Sequence, residues 1–214
     1  QQIGEWADSL TIQKRMRSVW QHQQHTSYCL FGSKKHLLAN LFQNRRMSFY
    51  HFGDTIFLKP IYTNDWIPFI CGKFAEKGKK ISEELVCKIC TTVASHSSYV
   101  QQLAWNIMVN TETEVTDEIF QQSISELLAQ CSPLFIQQIQ GLTTYQMNLI
   151  RCLCQGVRKD FTSKDVLETY QLGSKSNISR LKKTLVEKEI IEEEGDTITL
   201  ADPIFELWFK REYM

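Results

Sequence analysis

The stretch that decides the fold is 172–202, "LGSKSNISRLKKTLVEKEIIEEEGDTITLAD". Its first half has helical spacing, with Ile178, Leu181, Leu185 and Val186 on one face, predicting a helix over 174–189. The period then changes from helix to strand. "IIEEE" and "TITLAD" flank Gly195-Asp196, a dipeptide suited to a tight hairpin turn. Two more helical segments precede this unit, at 142–155 and 162–171, and Gly173 falls between the second and third helices. Three helices followed by a hairpin, with a glycine before the third helix, predict a winged helix-turn-helix over 141–214.

Upstream, residues 63–140 read as helices alone. Asn64 or Thr63 is placed to cap "DWIPFICGKFAEKG", with Pro68 as a kink point. Ser82 precedes "EELVCKICTTVA", whose early glutamates suit the positive end of a helix dipole. "SSYVQQLAWNIMVNT" (97–111) and a long segment capped by Thr116 (116–141) complete a small helical domain.

Residues 1–62 have another pattern. A helix is predicted over 9–25, with Leu10, Met16, Val19 and Trp20 on one face. "TSYCLF" (26–31) reads as a buried strand. Lys35–Gln43 reads as a helix with Leu37, Leu38, Leu41 and Phe42 inward, and "DTIFLKPIY" (54–62) as a second strand. This αβαβ order belongs to layered sheets but is too short to complete one. The expected fold class is mainly α: a partial α/β sheet remnant, a helical lid domain and a winged helix-turn-helix.

The 214 residues suit one large or two small domains. Twenty-four basic residues balance 24 acidic ones overall, but the front 80 residues carry a net +7 and residues 81–140 a net −6. The asymmetry fits contact between segments, an anionic ligand, or merely solvated faces of unequal sign. Seven cysteines lie scattered in apolar segments without a disulfide framework. Cys87 and Cys90 share a helical face and read as small core hydrophobes, since no second ligand pair lies nearby. No secretory signal or membrane span is read, and a cytoplasmic setting is expected.

The motifs together resemble the prokaryotic, archaeal-type AAA+/STAND-like P-loop ATPases. "YCLFGSKKHLLANLF" (28–42) looks like that family's strand-Gly-Ser-basic-helix segment, and "NRRMSFYHFGDTIFLKPI" (44–61) like its Arg-x-x-Phe-Tyr segment. "ASHSSYVQQLAWNI" (94–107) is similar to its Gly-His-Pro-Tyr lid helix. The tail, ending in "DPIFELWF" (202–209), is similar to its winged helix. The opening "QQIGEW" resembles the segment directly after the Walker B acid, so the chain reads as the carboxy-terminal portion of such an ATPase. Neither a G-x-x-x-x-G-K-S/T loop nor a Walker B strand occurs in the sequence. ATP and Mg²⁺ are therefore expected in the intact protein and not in this chain alone, which is expected to be inactive.

The resemblance implies roles for particular residues. Ser33 takes the place of the sensor-1 polar residue, able to orient water or touch the γ-phosphate, although a hydroxyl after Gly32 can equally be a helix cap. Arg45 and Arg46 stand where AAA+ proteins place an arginine finger. Met47-Ser48 replaces the expected Pro, and two exposed loop cations are the plainer reading. His96, Ser97 and Ser98 stand before the lid helix, expected to begin at Tyr99, whose free N–H groups can face phosphates. Here Ser95 replaces the family's Gly and Ser98 its Pro.

In the third winged-helix helix, Lys175, Ser176, Asn177, Arg180 and Lys183 are of types that contact phosphates and base edges. Glu192, Glu193 and Glu194 in the wing oppose this, and protein or intramolecular contact is favoured. The rival readings are a winged-helix DNA-binding regulator with a helical dimerisation domain and an interaction scaffold with a dead nucleotide site. Trp208 and Phe205 are expected to be core anchors. The partners expected are the missing P-loop half, a second copy paired through exposed strands, and DNA or a protein at the winged helix, with no membrane.

Overall fold

The computed structural model describes residues 9–32 and 35–214. The chain divides into two compact units, 1–59 and 60–214.

In the first unit, α1 (Ser9–Trp20) and α2 (Lys35–Gln43) flank an aromatic cluster. Trp20 stacks on Tyr28 at 4.2 Å and on Phe49 at 5.6 Å, and Phe49 is fully buried. Arg17 donates to the carbonyls of Ser48 and Tyr50 and lies 5.5 Å above the Phe52 ring. This holds α1 against the 44–53 turn. The expected inward face of α1 holds in part: Met16 and Trp20 are half-buried, while Leu10 and Val19 are exposed and Gln13 is fully buried instead.

The two predicted strands, 26–31 and 54–62, join no ladder among the described residues. Phe31, Ile56 and Leu58 are each more than 80 % exposed. The alternating pattern is present in the sequence. A strand, however, needs a neighbour for its backbone N–H and C=O groups, and the described residues supply none.

The second unit is helical apart from one hairpin. Its helices are α3 (Thr63–Glu76), α4 (Glu83–Thr92), α5 (Ser97–Asn110), α6 (Asp117–Ile139), α7 (Thr144–Cys154), α8 (Lys164–Thr169) and α9 (Lys175–Glu187). Then come β1 (Ile191–Glu194), β2 (Thr197–Leu200) and α10 (Pro203–Tyr213).

Local chemistry explains most boundaries. Ser82 accepts from the Leu85 N–H and Thr116 from the Ile119 N–H, as expected of caps. Thr143 and Gln146 form a reciprocal capping box at α7. The cap of α3 differs: Tyr62 occupies that position without a side-chain bond, and Thr63 is already helical. Pro68 lies within an unbroken α3.

The hairpin pairs Glu194 with Thr197 and Ile191 with Leu200, leaving Gly195-Asp196 as a two-residue turn. One hydrophobic core runs from Trp66 in α3 to Phe209 in α10. The helices of 63–140 and the winged helix therefore fold as one unit. Val186, expected inward on α9, is partly exposed, whereas Ile178, Leu181 and Leu185 are buried. Trp208 and Phe205 are each 2 % exposed, as anchors should be. Their rings meet Phe135 of α6 at 5.4 Å, and the Trp208 indole donates to the Ser132 hydroxyl.

Candidate functional site

The site is the joint between the start of α5 and the start of α10. The chain enters α5 through Ala94 and Ser95, both in the left-handed region at φ +49° and +55°. The Ser95 N–H donates back to the Cys90 carbonyl at 2.7 Å, closing the turn after α4. A left-handed turn of this kind favours glycine, so Ser95 holds a conformation that costs a side chain roughly 1 kcal/mol. His96 is the N-cap residue of α5 but makes no side-chain cap bond. Its exposed ring lies 4.8 Å from that of Tyr99.

The helix begins at Ser97, the first residue of the expected helical stretch 97–111, so Ser97 and Ser98 form its first turn rather than preceding it. Gln101 donates to the Ser97 carbonyl and Gln102 to the Ser98 hydroxyl. The first-turn N–H groups and the dipole give this helix end a positive character.

Tyr99 connects that end to the winged helix. Its hydroxyl donates to Asp202 Oδ2 at 2.5 Å. The other carboxylate oxygen, Oδ1, accepts from the backbone N–H groups of Ile204 and Phe205 at 2.7 and 3.1 Å, capping α10. One aspartate thus joins two helix starts. Burial holds the Tyr99 phenol protonated well above the usual tyrosine range, and the bond to Asp202 and its charge act in the same direction.

The other predicted residues lie elsewhere. Ser33 is outside the described residues. Arg45 and Arg46 are exposed in the turn after α2, where the Arg46 N–H donates to Asn44 Oδ1. Neither arginine forms an ion pair among the described residues. They belong to the first unit, and His96, Ser97 and Ser98 to the second.

On α9, Lys175, Ser176, Arg180 and Lys183 are exposed on one side of the helix-turn-helix. Lys183 lies 3.9 Å from Glu187. Asn177 is committed to the turn: its amide donates to the Leu172 carbonyl at 3.1 Å and accepts from Arg180 at 3.0 Å. Glu192, Glu193 and Glu194 are all exposed on the wing. Cys90 is buried and Cys87 half-buried, and burial raises the Cys90 thiol pKa, which disfavours the metal-binding thiolate. No group of three or more His, Cys, Asp and Glu among the described residues is arranged to hold a metal ion.

The Tyr99–Asp202 bond spans 103 residues and has no signature in the sequence. Both residues are legible there as parts of motifs, at a helix start and before a proline. Nothing local indicates that they meet.

Residues 133–211 match the family described as a probable winged helix domain. No curated protein sequence matches the chain. Among solved structures, the fold is similar to that of a Walker-type ATPase of Pyrococcus abyssi, at 14 % identity and a TM-score of 0.70. The likeness covers 95 % of this chain and 58 % of that one, so the chain spans less than two thirds of its structural relative. Among the described residues no helix is long and apolar enough to cross a membrane. Residues 133–211 thus form a winged helix domain, set in a chain whose fold is similar to part of that Walker-type ATPase.

Proposed function

We propose that this chain is the lid and winged-helix portion of an AAA+/STAND-like ATPase, and that its joint relays nucleotide state to a partner. The observation that carries the reading is the Tyr99–Asp202 bond, which ties the phosphate-facing type of helix start to the cap of the last winged-helix helix. The fold likeness supports it.

In this reading ATP and Mg²⁺ are held by a P-loop half outside this sequence. The first turn of α5 and the exposed His96 face the phosphates. Arg45 or Arg46, in the other unit, is a separate arginine-finger candidate that acts in trans on the nucleotide of a neighbouring subunit. The residues present suit that supporting role: the helix start is positive and the arginines have no acidic partner among the described residues. Residues 26–31 and 54–62, exposed and unpaired, take strand partners from the P-loop half or from a second copy. A shift at His96 that breaks or makes the Tyr99 bond changes the seating of α10, a rigid-body switch between two packings.

The partner at the winged helix is a protein rather than DNA, because three exposed wing carboxylates would face the phosphate backbone. DNA remains the second reading on the strength of exposed Lys175, Arg180 and Lys183.

The test uses the full-length product of the gene. It should carry a P-loop upstream of Gln1 and hydrolyse ATP, and ATP should alter hydrogen exchange at residues 96–99 and 202–206. A gene product without a P-loop, or exchange at the joint that ignores ATP, overturns the proposal. A low-salt mobility shift lost on Arg180→Ala would favour the DNA reading over the protein one.

A further inference from the structure

A second site lies within the lid, on the open side of α3 and α5. A cleft of about 680 Å³ is walled by Phe69 of α3, by Lys77 just past its end, and by Trp105 and Met108 of α5. Trp66 and Asn106 also line it. The volume falls within the roughly 300–1,000 Å³ of small-molecule clefts.

Two features set this cleft apart from an ordinary surface groove. Its aromatic walls are exposed: Phe69 is 51 % and Trp105 62 % accessible, unusual for such rings in a folded domain. Two residues of its lining also carry buried donors without protein partners. The Trp66 indole N–H belongs to a side chain only 4 % exposed, and it makes no hydrogen bond. The Asn106 amide nitrogen is likewise buried and unbonded. Buried donors are nearly always satisfied, so two such donors on residues of one cleft leave room for an acceptor that the protein itself does not supply.

Charge narrows the choice. Lys73 at the rim is paired with Glu76 at 2.9 Å, but Lys77 makes no ion pair among the described residues. Donors, a free cation and flat aromatic walls together favour an anion with an aromatic body.

We infer that the α3–α5 cleft is a binding site for a small aromatic anion, whose carboxylate or sulfonate accepts from Trp66 and Asn106 while its ring packs between Phe69 and Trp105. The inference concerns the second unit only and does not depend on the nucleotide reading. The ligand enters from solvent, on a part of the lid formed by residues further along α5 than the His96 joint.

The test uses the whole chain with anilinonaphthalene sulfonate as the probe. The expected result is saturable fluorescence at one probe per chain. Trp66→Phe keeps the ring and deletes the donor, and Asn106→Leu deletes the amide at similar size. Each should weaken the probe about fivefold to tenfold, the equivalent of one hydrogen bond. Uncharged phenylnaphthylamine should bind more weakly than the sulfonate.

Because each variant removes an unsatisfied donor, neither should unfold more easily than the parent, which separates lost binding from lost folding. In a proton–nitrogen spectrum the indole cross-peak that vanishes in Trp66→Phe should move as probe is added. Probe binding that ignores both substitutions, or is abolished instead by Leu58→Ser in the exposed front segment, overturns the inference. So does an unmoved Trp66 cross-peak at saturating probe.

Discussion

Replacing Tyr99 by Phe removes one oxygen and leaves the ring, so it measures the joint directly. The deleted bond is 2.5 Å long, runs to a carboxylate and is half-buried. Hydrogen bonds to charged groups contribute about 1.5–3 kcal/mol net. Asp202 keeps both backbone donors after the change, so its charge is not stranded, and the cost belongs in the lower half, about 1.5–2 kcal/mol. Asp202→Asn retains capping ability and should cost about 1 kcal/mol through the loss of charge. Asp202→Ala loses both the cap and the tyrosine partner, about 3 kcal/mol. In urea unfolding followed by far-ultraviolet circular dichroism, the double variant Tyr99→Phe with Asp202→Asn should then cost less than the two singles together, with a coupling of about 1 kcal/mol. Strict additivity, or a Tyr99→Phe cost under about 0.5 kcal/mol, would show that the two helix starts are not energetically joined.

Burial and backbone conformation give two further outcomes. Burial pushes the Cys152 and Cys154 thiols up to about 12 from an ordinary 9.0. Below pH 9 both states hold these protons and the contribution is complete. Above it the unfolded chain releases protons that the folded chain keeps, so stability should fall steadily towards pH 12. Cys152→Ala with Cys154→Ala should flatten that alkaline slope in denaturant melts, and a thiol reagent should label exposed Cys29 in the native protein but not these two. Left-handed positions should respond with opposite signs. Ser95→Gly relieves φ +55° and should gain about 0.5–1 kcal/mol. Gly173→Ala, at φ +81° with a new Cβ 3.2 Å from the Tyr145 ring, should lose about 1–2 kcal/mol; thermal melts of the two variants check both signs.

The helices were legible because their determinants are local. Ser82, Thr116 and the Ile178, Leu181 and Leu185 spacing of α9 act within a turn or two of themselves, and each stands where the sequence placed it. The wing was legible because Gly195-Asp196 fixes the register of four pairs. Failures came where the deciding partner is distant. Residues 26–31 have the composition of a strand, yet pairing depends on a neighbour that composition cannot provide. Of the expected core face Leu10, Met16, Val19 and Trp20, only Met16 and Trp20 turn inward, on the side that also holds Gln13 and Arg17, whose bonds to the 44–53 turn fix it.

The sequence by itself determined the order of helices, the caps at Ser82 and Thr116, the hairpin and the winged-helix architecture, since each rests on interactions among near neighbours along the chain. Only the tertiary structure decided that Tyr99 would find Asp202, that Asn177 would serve the turn rather than face outward, and that Trp66 and Asn106 would line one cleft without partners. Those outcomes depend on how one core brings distant helices together, and side-chain donors and acceptors are matched only after that packing has placed them.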